Sequence, residues 1–266
     1  MAVAELARPG QRLPRDRRGH VRIERLSVAF GPARGARLAL AETSLEVLPG
    51  EFVCLLGPSG CGKSTLLNIL AGFEEATRGA VEFEGAPVRG AGRDRMMFFQ
   101  DAGAALLPWF TAEENVRFAL RVRKLPREQW QAIIDKYLAM VGLKDDRRKF
   151  PAQLSGGMRQ RLQIARALAV EPKVLLMDEP FGALDALTRR RMHGFLLDIW
   201  QRTGTTIVFV THDIAEAVTL ADRICVMSAG PSSRIIEVMS VDLPRPRDLA
   251  EPRAGQIFKR VEELFS

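Results

Sequence analysis

Residues 52–65 read FVCLLGPSGCGKST, a short apolar run followed at once by a glycine-rich loop. The pattern GxxxxGK[ST] is fitted by the eight residues Gly57, Pro58, Ser59, Gly60, Cys61, Gly62, Lys63 and Ser64, and Thr65 follows directly. Glycines let successive backbone N–H groups converge on phosphate oxygens, and a helix that begins near the lysine adds a favourable dipole. We expect Lys63 to reach the β- and γ-phosphates and the Ser64 hydroxyl to ligate Mg²⁺. The stretch predicts a strand, a phosphate-binding loop and a helix.

The rest of the chain alternates short apolar runs with amphipathic stretches, which is typical of strands covered by helices. Residues 21–30 and 38–48 alternate apolar and polar side chains, as half-buried strands of an antiparallel layer do. Buried strands are also predicted at 52–57, 81–83, 96–99, 174–177, 206–210 and 224–227. Helices are predicted at 111–122, 127–141, 155–169 and 255–265. These elements predict an α/β fold with an added antiparallel layer.

The distribution of helices divides the chain into segments. Because the middle of the sequence is helical, we predict a mostly helical lobe at 101–170, inserted between core segments 21–100 and 171–245. Residues 1–20 are rich in arginine and proline and predict a solvated, disordered basic arm. After a proline-rich break, residues 246–266 predict a C-terminal helical extension.

Composition argues against several classes of protein. The chain has 266 residues and a net charge of +7, but seven basic and three acidic residues fall within the first 25 positions. Charges elsewhere are interspersed and there is one tyrosine, so a solvated surface is favoured over nucleic-acid binding. We expect neither a membrane-spanning segment nor a secretory signal, because no apolar stretch has the required length. Three cysteines in apolar surroundings predict free thiols in a reducing compartment.

Two further stretches carry residues suited to phosphate chemistry. The apolar run 174–177 ends in Asp178 and Glu179. We expect Asp178 to hold Mg²⁺ through its water shell and Glu179 to polarise an attacking water. In residues 154–161, LSGGMRQR, Ser155 taken alone is a helix N-cap that follows a turn. Beside a phosphate loop, the same segment is a second helix N-terminus suited to a γ-phosphate.

The phosphate loop, LSGGMRQR, an apolar strand followed by Asp-Glu-Pro, and Thr211-His212 occur in the order found in ABC transporter ATPases. This chain resembles that family over about residues 21–245. The resemblance implies an α/β P-loop NTPase core with an antiparallel β layer and an inserted, mostly helical lobe. It also implies ATP and Mg²⁺ as cofactors, and a second copy of the chain whose signature segment closes the ATP site in trans. The signature residues are Leu154, Ser155, Gly156 and Gly157.

The resemblance also assigns roles to single residues. Glu179 corresponds to the catalytic base, His212 to the histidine that orients the γ-phosphate, and Gln100 to the glutamine that senses Mg²⁺ and the attacking water. Asp185 corresponds to the loop that signals across the dimer. Phe30 corresponds to the aromatic residue that stacks on adenine, and a core phenylalanine at a strand end is the alternative. The implied metal ligands are Ser64, Gln100 and Asp178.

Two local stretches resemble the nitrate, sulfonate and taurine import branch, namely LLPW at 106–109 and VDLPRPR at 241–247. The resemblance implies ATP-driven uptake of a small anion, transmembrane permease subunits and, indirectly, an extracytoplasmic solute-binding protein. It places the chain peripherally on the cytoplasmic face of the inner membrane. The family spacing from the glutamine to LLPW is two residues shorter, which indicates an insertion within 102–105. We expect Trp109 to lie in an exposed groove that receives the membrane subunit, with a core aromatic as the alternative.

Other functions stay open from the sequence. An importer ATPase for another small nutrient is one of them. A soluble ABC ATPase of translation or DNA repair is another, although such proteins usually carry two cassettes or a long coiled coil. A catalytically silent module would be expected to lack Lys63, Glu179 or His212, and all three are present. Export is less favoured, because exporters commonly fuse the cassette to transmembrane segments.

Three side chains outside these assignments carry their own expectations. We expect Cys61 to be the most reactive thiol, because a helix N-terminus and Lys63 both lower the pKa of a nearby thiol. The other two cysteines lie in strand runs and should be shielded. His20 and His193 have no motif partner, so a solvated or capping role is expected for each.

Overall fold

The computed structural model describes residues 18–31, 37–99 and 105–265, which form two sheets and the helices around them. The strands are β1 (Val21–Phe30), β2 (Arg37–Val47), β3 (Phe52–Leu56), β4 (Arg78–Phe83), β5 (Ala86–Pro87), β6 (Arg95–Phe98), β7 (Val174–Asp178), β8 (Thr206–Thr211), β9 (Arg223–Met227) and β10 (Ile235–Ser240). The helices are α1 (Lys63–Ala71), α2 (Ala112–Arg123), α3 (Trp130–Met140), α4 (Gly156–Ala169), α5 (Ala186–Thr203), α6 (Ile214–Leu220) and α7 (Pro252–Glu263).

The larger sheet has six strands in the order β10-β9-β3-β8-β7-β6 and is parallel except for the β10–β9 pair. The smaller sheet is antiparallel, in the order β2-β1-β4-β5. Parallel strands covered on both faces carry continuous apolar runs. Accordingly, all five residues of β3 are buried. The predicted α/β class with an antiparallel layer is confirmed.

The alternating side chains of β3 divide the core into two layers. Phe52, Cys54 and Leu56 pack with residues of the helices on one face. Val53 and Leu55 pack on the other face, with the antiparallel sheet and α1. Each fully buried Leu or Phe side chain contributes about 1.5–3 kcal/mol. The phosphate loop therefore starts from a strand that is held firmly on both faces.

In the sequence, helices α2, α3 and α4 follow β6 and precede β7. Helix α2 begins with a capping box formed by Thr111 and Glu114. The buried side chain of Asn115 fixes the LLPW turn just before it. Its Oδ1 accepts the Leu107 N–H at 3.0 Å, and its amide donates to the Leu107 carbonyl at 3.2 Å. In this turn Trp109 is 67% exposed, so the alternative of a core aromatic is wrong.

The VDLPRPR stretch closes the C-terminal end of α6. Arg247 Nη1 donates to the carbonyls of Val218 and Ala221 at 2.8 and 2.6 Å. Burial lowers the pKa of this guanidinium to about 10, and the charge of the nearby Arg245 acts in the same direction. Arg245 in turn pairs with Asp222 at 2.8 Å. The VDLPRPR stretch, which resembles the import branch, thus has a structural role in this chain.

The strand predictions are confirmed to within three residues, and the differences have local causes. The sequence does not predict β10 or β5. Strand β10 lies at a sheet edge and its residues do not alternate between buried and exposed, and β5 has only two residues. The helix predicted from 127 begins as a 3₁₀ turn, and regular helix starts at Trp130. Helix α7 begins at Pro252 rather than 255, because proline is favoured in a first turn. The predicted boundaries of arm, core, lobe and extension stay predictions.

Candidate functional site

The phosphate loop joins the carboxyl end of β3 to the first turn of α1. Gly60 and Gly62 have φ angles of 77° and 88°, a left-handed conformation in which glycine avoids the strain of a side chain. Gly62 is the N-cap of α1 and offers no side-chain cap, so the first-turn N–H groups can receive an anion. The buried Lys63 donates from Nζ to the carbonyls of Gly57 and Pro58, each at 2.8 Å. Phosphate oxygens would compete with these carbonyls for the ammonium donors.

Two carboxylates stand where β7 ends, on the same edge of the sheet as the phosphate loop. Burial raises the pKa of Asp178, and a side-chain hydrogen bond with Ser64 opposes that rise. Glu179 follows with a φ of 41°, which is uncommon for a residue with a side chain. Its N–H donates to the Val210 carbonyl at 3.1 Å. Strand β7 ends at Asp178, directly before this backbone conformation.

The Glu179 carboxylate meets His212, which follows β8. His212 Nδ1 lies 3.0 Å from Glu179 Oε2, and the imidazole is 56% exposed. The parallel register brings these residues together, because Asp178 pairs with Val210 in the β7–β8 ladder. Two residues 33 positions apart in the sequence thus form a hydrogen-bonded pair next to the phosphate loop.

A cavity of about 690 Å³ opens on this edge of the sheet, and Lys63, Ser64 and Glu179 are among its lining residues. Phe30 also lines this cavity and is 52% exposed. The alternative of a core phenylalanine is therefore wrong, and the position suits an aromatic ring that stacks on a base. Residues 32–36 lie outside the described residues.

The signature segment forms the N-terminus of α4. Ser155 is its N-cap, and the Ser155 side chain accepts the Met158 N–H at 3.3 Å. Asp185 caps α5 in the same way by accepting the Thr188 N–H at 2.9 Å, which holds the pKa of the Asp185 carboxyl below its usual value. Both capping residues are exposed. Among the described residues, none of 154–157 lines the cavity that contains the phosphate loop.

The predicted Mg²⁺-sensing glutamine, Gln100, lies outside the described residues, as does most of the predicted insertion, at 102–104. The described chain stops at Phe99, directly after β6, and resumes at Ala105. The role of Gln100 therefore stays a prediction.

The comparison with known families agrees with this set of motifs. The model of the ABC transporter family matches residues 40–182. This chain belongs to that family. A phosphate loop, paired carboxylates and a signature helix are all in place, and the protein is an ATP-binding ATPase of the ABC type.

Curated relatives of this ABC ATPase include import proteins for anions. It is 42% identical to the nitrate import ATP-binding protein NrtD of Synechococcus elongatus over 252 residues, which cover 92% of this chain and 90% of that protein. It is 48% identical to the bicarbonate transport ATP-binding protein CmpD of Synechocystis over 229 residues, covering 85% and 80%. Both similarities extend well beyond the segment that the family model matches.

Solved ABC cassettes have the same fold. The structure of the ATP-binding cassette MJ0796 in a dimeric post-hydrolysis state with ADP and Pi matches with a TM-score of 0.71 and 30% identity, covering 84% of this chain and 100% of that chain. The structure of cbiO1 from Clostridium perfringens matches with a TM-score of 0.75 and 28% identity, covering 83% and 88%. The predicted ABC ATPase architecture is confirmed.

The ranking of the three thiols by reactivity stays a prediction, but the low pKa expected for the Cys61 thiol is wrong. Its side chain is 1% exposed and belongs to the core layer next to the antiparallel sheet. A Cβ atom on Gly57 would lie 2.9 Å from Cys61 Sγ, so the glycine makes room for this thiol. Burial raises the pKa of the Cys61 thiol, and the charge of Lys63 opposes that rise only in part. Cys54 and Cys225 are buried, as predicted.

Ser233, in the connection between β9 and β10, braces the phosphate loop, and the sequence did not indicate this. Its buried hydroxyl donates to the Cys61 carbonyl, and its own carbonyl accepts the Ala41 N–H at 2.7 Å. One residue thus ties the phosphate loop to β2. A buried serine 172 positions away gives no local signal in the sequence.

The expected solvated or capping roles of His20 and His193 are wrong, because each pairs with a glutamate. His20 Nε2 lies 2.8 Å from Glu46 Oε1, at the edge of the antiparallel sheet. His193 Nε2 lies 2.7 Å from Glu216 Oε1, and the two side chains are 13% and 7% exposed. Both partners come from other elements, so spacing along the sequence could not indicate them.

Proposed function

We propose that this ABC ATPase drives the import of a small anion, with nitrate as the first candidate. The observation that carries the proposal is the similarity to the nitrate import protein over 92% of this chain and 90% of that protein. The bicarbonate transport relatives make bicarbonate the second candidate. Sulfonates and taurine stay candidates of the same chemical class, from the LLPW and VDLPRPR stretches.

Two copies of the chain would close over two ATP molecules. In support, the cavity with the phosphate loop contains none of residues 154–157, while Ser155 stands exposed at a helix N-terminus that can donate to a γ-phosphate. Gly156 and Gly157 let the segment around Asp185 pack closely on the start of α4, since added Cβ atoms would lie 3.4 and 3.1 Å from Leu184 and Thr188. Two solved structures of one relative, MJ0796, are described as dimeric. Asp185, exposed at the start of α5, would lie close to the facing chain.

Hydrolysis would use the pair of residues at the ends of β7 and β8. Glu179 is placed to accept a proton from the attacking water, and His212, 3.0 Å away, is placed to orient the γ-phosphate. Lys63 would exchange its two loop carbonyls for β- and γ-phosphate oxygens. These groups would act mainly by positioning and by neutralising charge, since phosphoryl transfer needs little covalent help from the protein.

The residues present fit a Mg²⁺ ion bound together with ATP. Magnesium prefers oxygen ligands and is usually held by one or two carboxylates and the substrate phosphates. Ser64 and Asp178 supply a hydroxyl and a carboxylate that interact with each other beside the loop. When bound, Mg²⁺ would neutralise phosphate charge, with Gln100 as the third ligand predicted from sequence.

The membrane subunit would dock near the LLPW turn. Trp109 is 67% exposed and contacts Phe110. A second pair of aromatic rings, Phe73 and Phe99, stacks with centroids 6.4 Å apart, and both residues are about half exposed. Exposed aromatic rings are enriched at protein interfaces. Among residues 18–31, 37–99 and 105–265, no helix is long and apolar enough to cross a membrane. Peripheral binding to permease subunits on the cytoplasmic face, with a solute-binding protein on the other side, completes the proposal.

The test is growth of a strain that lacks this gene on nitrate, taurine or an alkanesulfonate as sole nitrogen or sulfur source, and on limiting bicarbonate. If the strain fails to grow on one of these anions, and the wild-type gene restores growth while a Glu179→Gln copy does not, the result would support import and identify the anion. Normal growth on all four, with failure on an unrelated nutrient, would refute the proposed substrate class. Co-purification with the membrane subunit, weakened by Trp109→Ala and retained by Trp109→Phe, would test the docking surface.

A further inference from the structure

A buried polar cluster lies between α5 and α6, directly behind His212. Glu216 of α6 is 6% exposed and binds two side chains with its two carboxylate oxygens. Oε1 lies 2.7 Å from His193 Nε2, and Oε2 accepts the Thr211 hydroxyl. The His193 ring also packs on the buried Phe181 ring, with centroids 5.7 Å apart. A buried carboxylate is costly unless its oxygens are paired, and here both are.

This cluster holds the backbone on both sides of His212. Thr211 precedes it, and the Thr211 hydroxyl donates to Glu216 and accepts the Asp213 N–H at 3.0 Å. Asp213 in turn accepts the Glu216 N–H at 3.1 Å, as the N-cap of α6. The imidazole of His212 is itself 56% exposed, so few neighbouring atoms restrain it. Its direction toward Glu179 is therefore set mainly by the anchored residues on either side.

A second connection runs parallel to the first, one turn earlier on α5. Arg189 lies 3.6 Å from the Asp213 carboxylate and donates to the Leu184 carbonyl at 3.0 Å. Leu184 directly precedes Asp185. Helix α5 thus contacts the His212 segment at two points, and its first turn directly follows the loop that ends at Asp185.

We propose that His193 is a positioning residue for ATP hydrolysis: through Glu216 and Thr211 it fixes the backbone that presents the His212 imidazole to Glu179. His193 is too far along this chain of contacts to touch the nucleotide. Its loss would leave one carboxylate oxygen of Glu216 without its partner and free Thr211 to change partners. A small displacement of a group that orients a reactant can cost up to about 100-fold in rate. The inference rests on the proposed role of His212.

The experiment compares ATP hydrolysis and ATP binding of the full-length wild type with His193→Ala, His193→Gln, His212→Ala and His20→Ala. Because the connection is indirect, we expect His193→Ala to lower kcat by about 10-fold, with KM and the Kd for ATP within about twofold of wild type. Glutamine can place an amide donor near the position of Nε2, so His193→Gln should recover most of kcat. His20→Ala is the matched control, since it breaks a histidine–glutamate pair of similar length that lies away from the site. It should leave kcat unchanged.

A double variant separates positioning from a general loss of stability. If His193 acts through His212, then His193→Ala should cause no further loss in a His212→Ala background. If His193→Ala lowers kcat by the same factor in the wild-type and His212→Ala backgrounds, the inference is overturned. It is also overturned if a folded His193→Gln variant hydrolyses ATP as slowly as His193→Ala, or if His193→Ala hydrolyses it as fast as the His20→Ala control. A His212→Ala that hydrolyses at the wild-type rate would refute the proposed role of His212 instead. Circular dichroism and melting temperature, measured on each variant, identify any that is unfolded in the assay.

Discussion

Replacing Glu179 with Gln keeps the shape of the side chain and removes the carboxylate that faces His212 at 3.0 Å. An amide cannot accept a proton from water, so we expect hydrolysis to slow by about 100-fold or more. That loss corresponds to at least about 2.7 kcal/mol in the activation free energy. The cost in stability should be smaller, below about 1 kcal/mol, because the His212 side of the pair is 56% exposed. The φ of 41° at Glu179 is no harder for Gln to adopt than for Glu.

ATP binding should survive Glu179→Gln, because Lys63, Ser64 and the loop N–H groups hold the phosphates independently of that carboxylate. If Ser155 of a second chain completes each site, uncleaved ATP should hold the variant as a dimer that dissociates without nucleotide. Light scattering with and without MgATP measures this. Adding Ser155→Arg should block the dimer by its bulk and charge. The comparison variant, Ser155→Ala, removes the hydroxyl without adding bulk or charge, and the lost helix cap costs about 1 kcal/mol of stability.

Two results would refute this reasoning. A Glu179→Gln variant that hydrolyses ATP at the wild-type rate would remove Glu179 from the role of base. A variant that binds ATP but stays monomeric at high protein concentration would mean that the membrane subunits, rather than the nucleotide, bring the two ATPase chains together.

Three other predictions concern separate parts of the molecule. Burial raises the pKa of all three thiols, that of Cys225 to about 12. We therefore expect maleimide to label the native protein slowly and the urea-unfolded protein fast. Rapid labelling of Cys61 in the native protein, prevented by MgATP, would contradict the buried position of this thiol. Phe30→Ala should weaken ATP binding, measured by calorimetry, by about 10-fold, since base stacking contributes about 1–3 kcal/mol. Phe30→Trp should bind ATP like the wild type. A Phe30→Ala variant with wild-type affinity for ATP would exclude stacking. Arg247→Met should lower the free energy of unfolding in urea by about 2–3 kcal/mol, because the buried carbonyls at the end of α6 lose their donor. The control Arg253→Met, at an exposed site, should leave the free energy of unfolding unchanged.

Much of the fold and site could be predicted because the decisive motifs are contiguous. The phosphate loop needs glycines and Lys63 within nine residues, and the strand before it must be apolar because both of its faces are covered. The ends of the parallel strands then bring Asp178, Glu179 and His212 to one edge of the sheet. Strand β10 escaped prediction because its burial does not alternate at the sheet edge.

Side-chain direction and long-range partners depended on the tertiary structure. The sequence places Cys61 beside Lys63 at a helix N-terminus, but the path of the loop turns the Cys61 thiol into the core and raises its pKa instead of lowering it. Ser233 reaches the Cys61 carbonyl across 172 positions, and His193 reaches Glu216 across 23. A motif constrains which residue types stand near one another along the chain. Which buried polar groups satisfy one another depends on how distant elements pack, and that is fixed only when the whole chain folds.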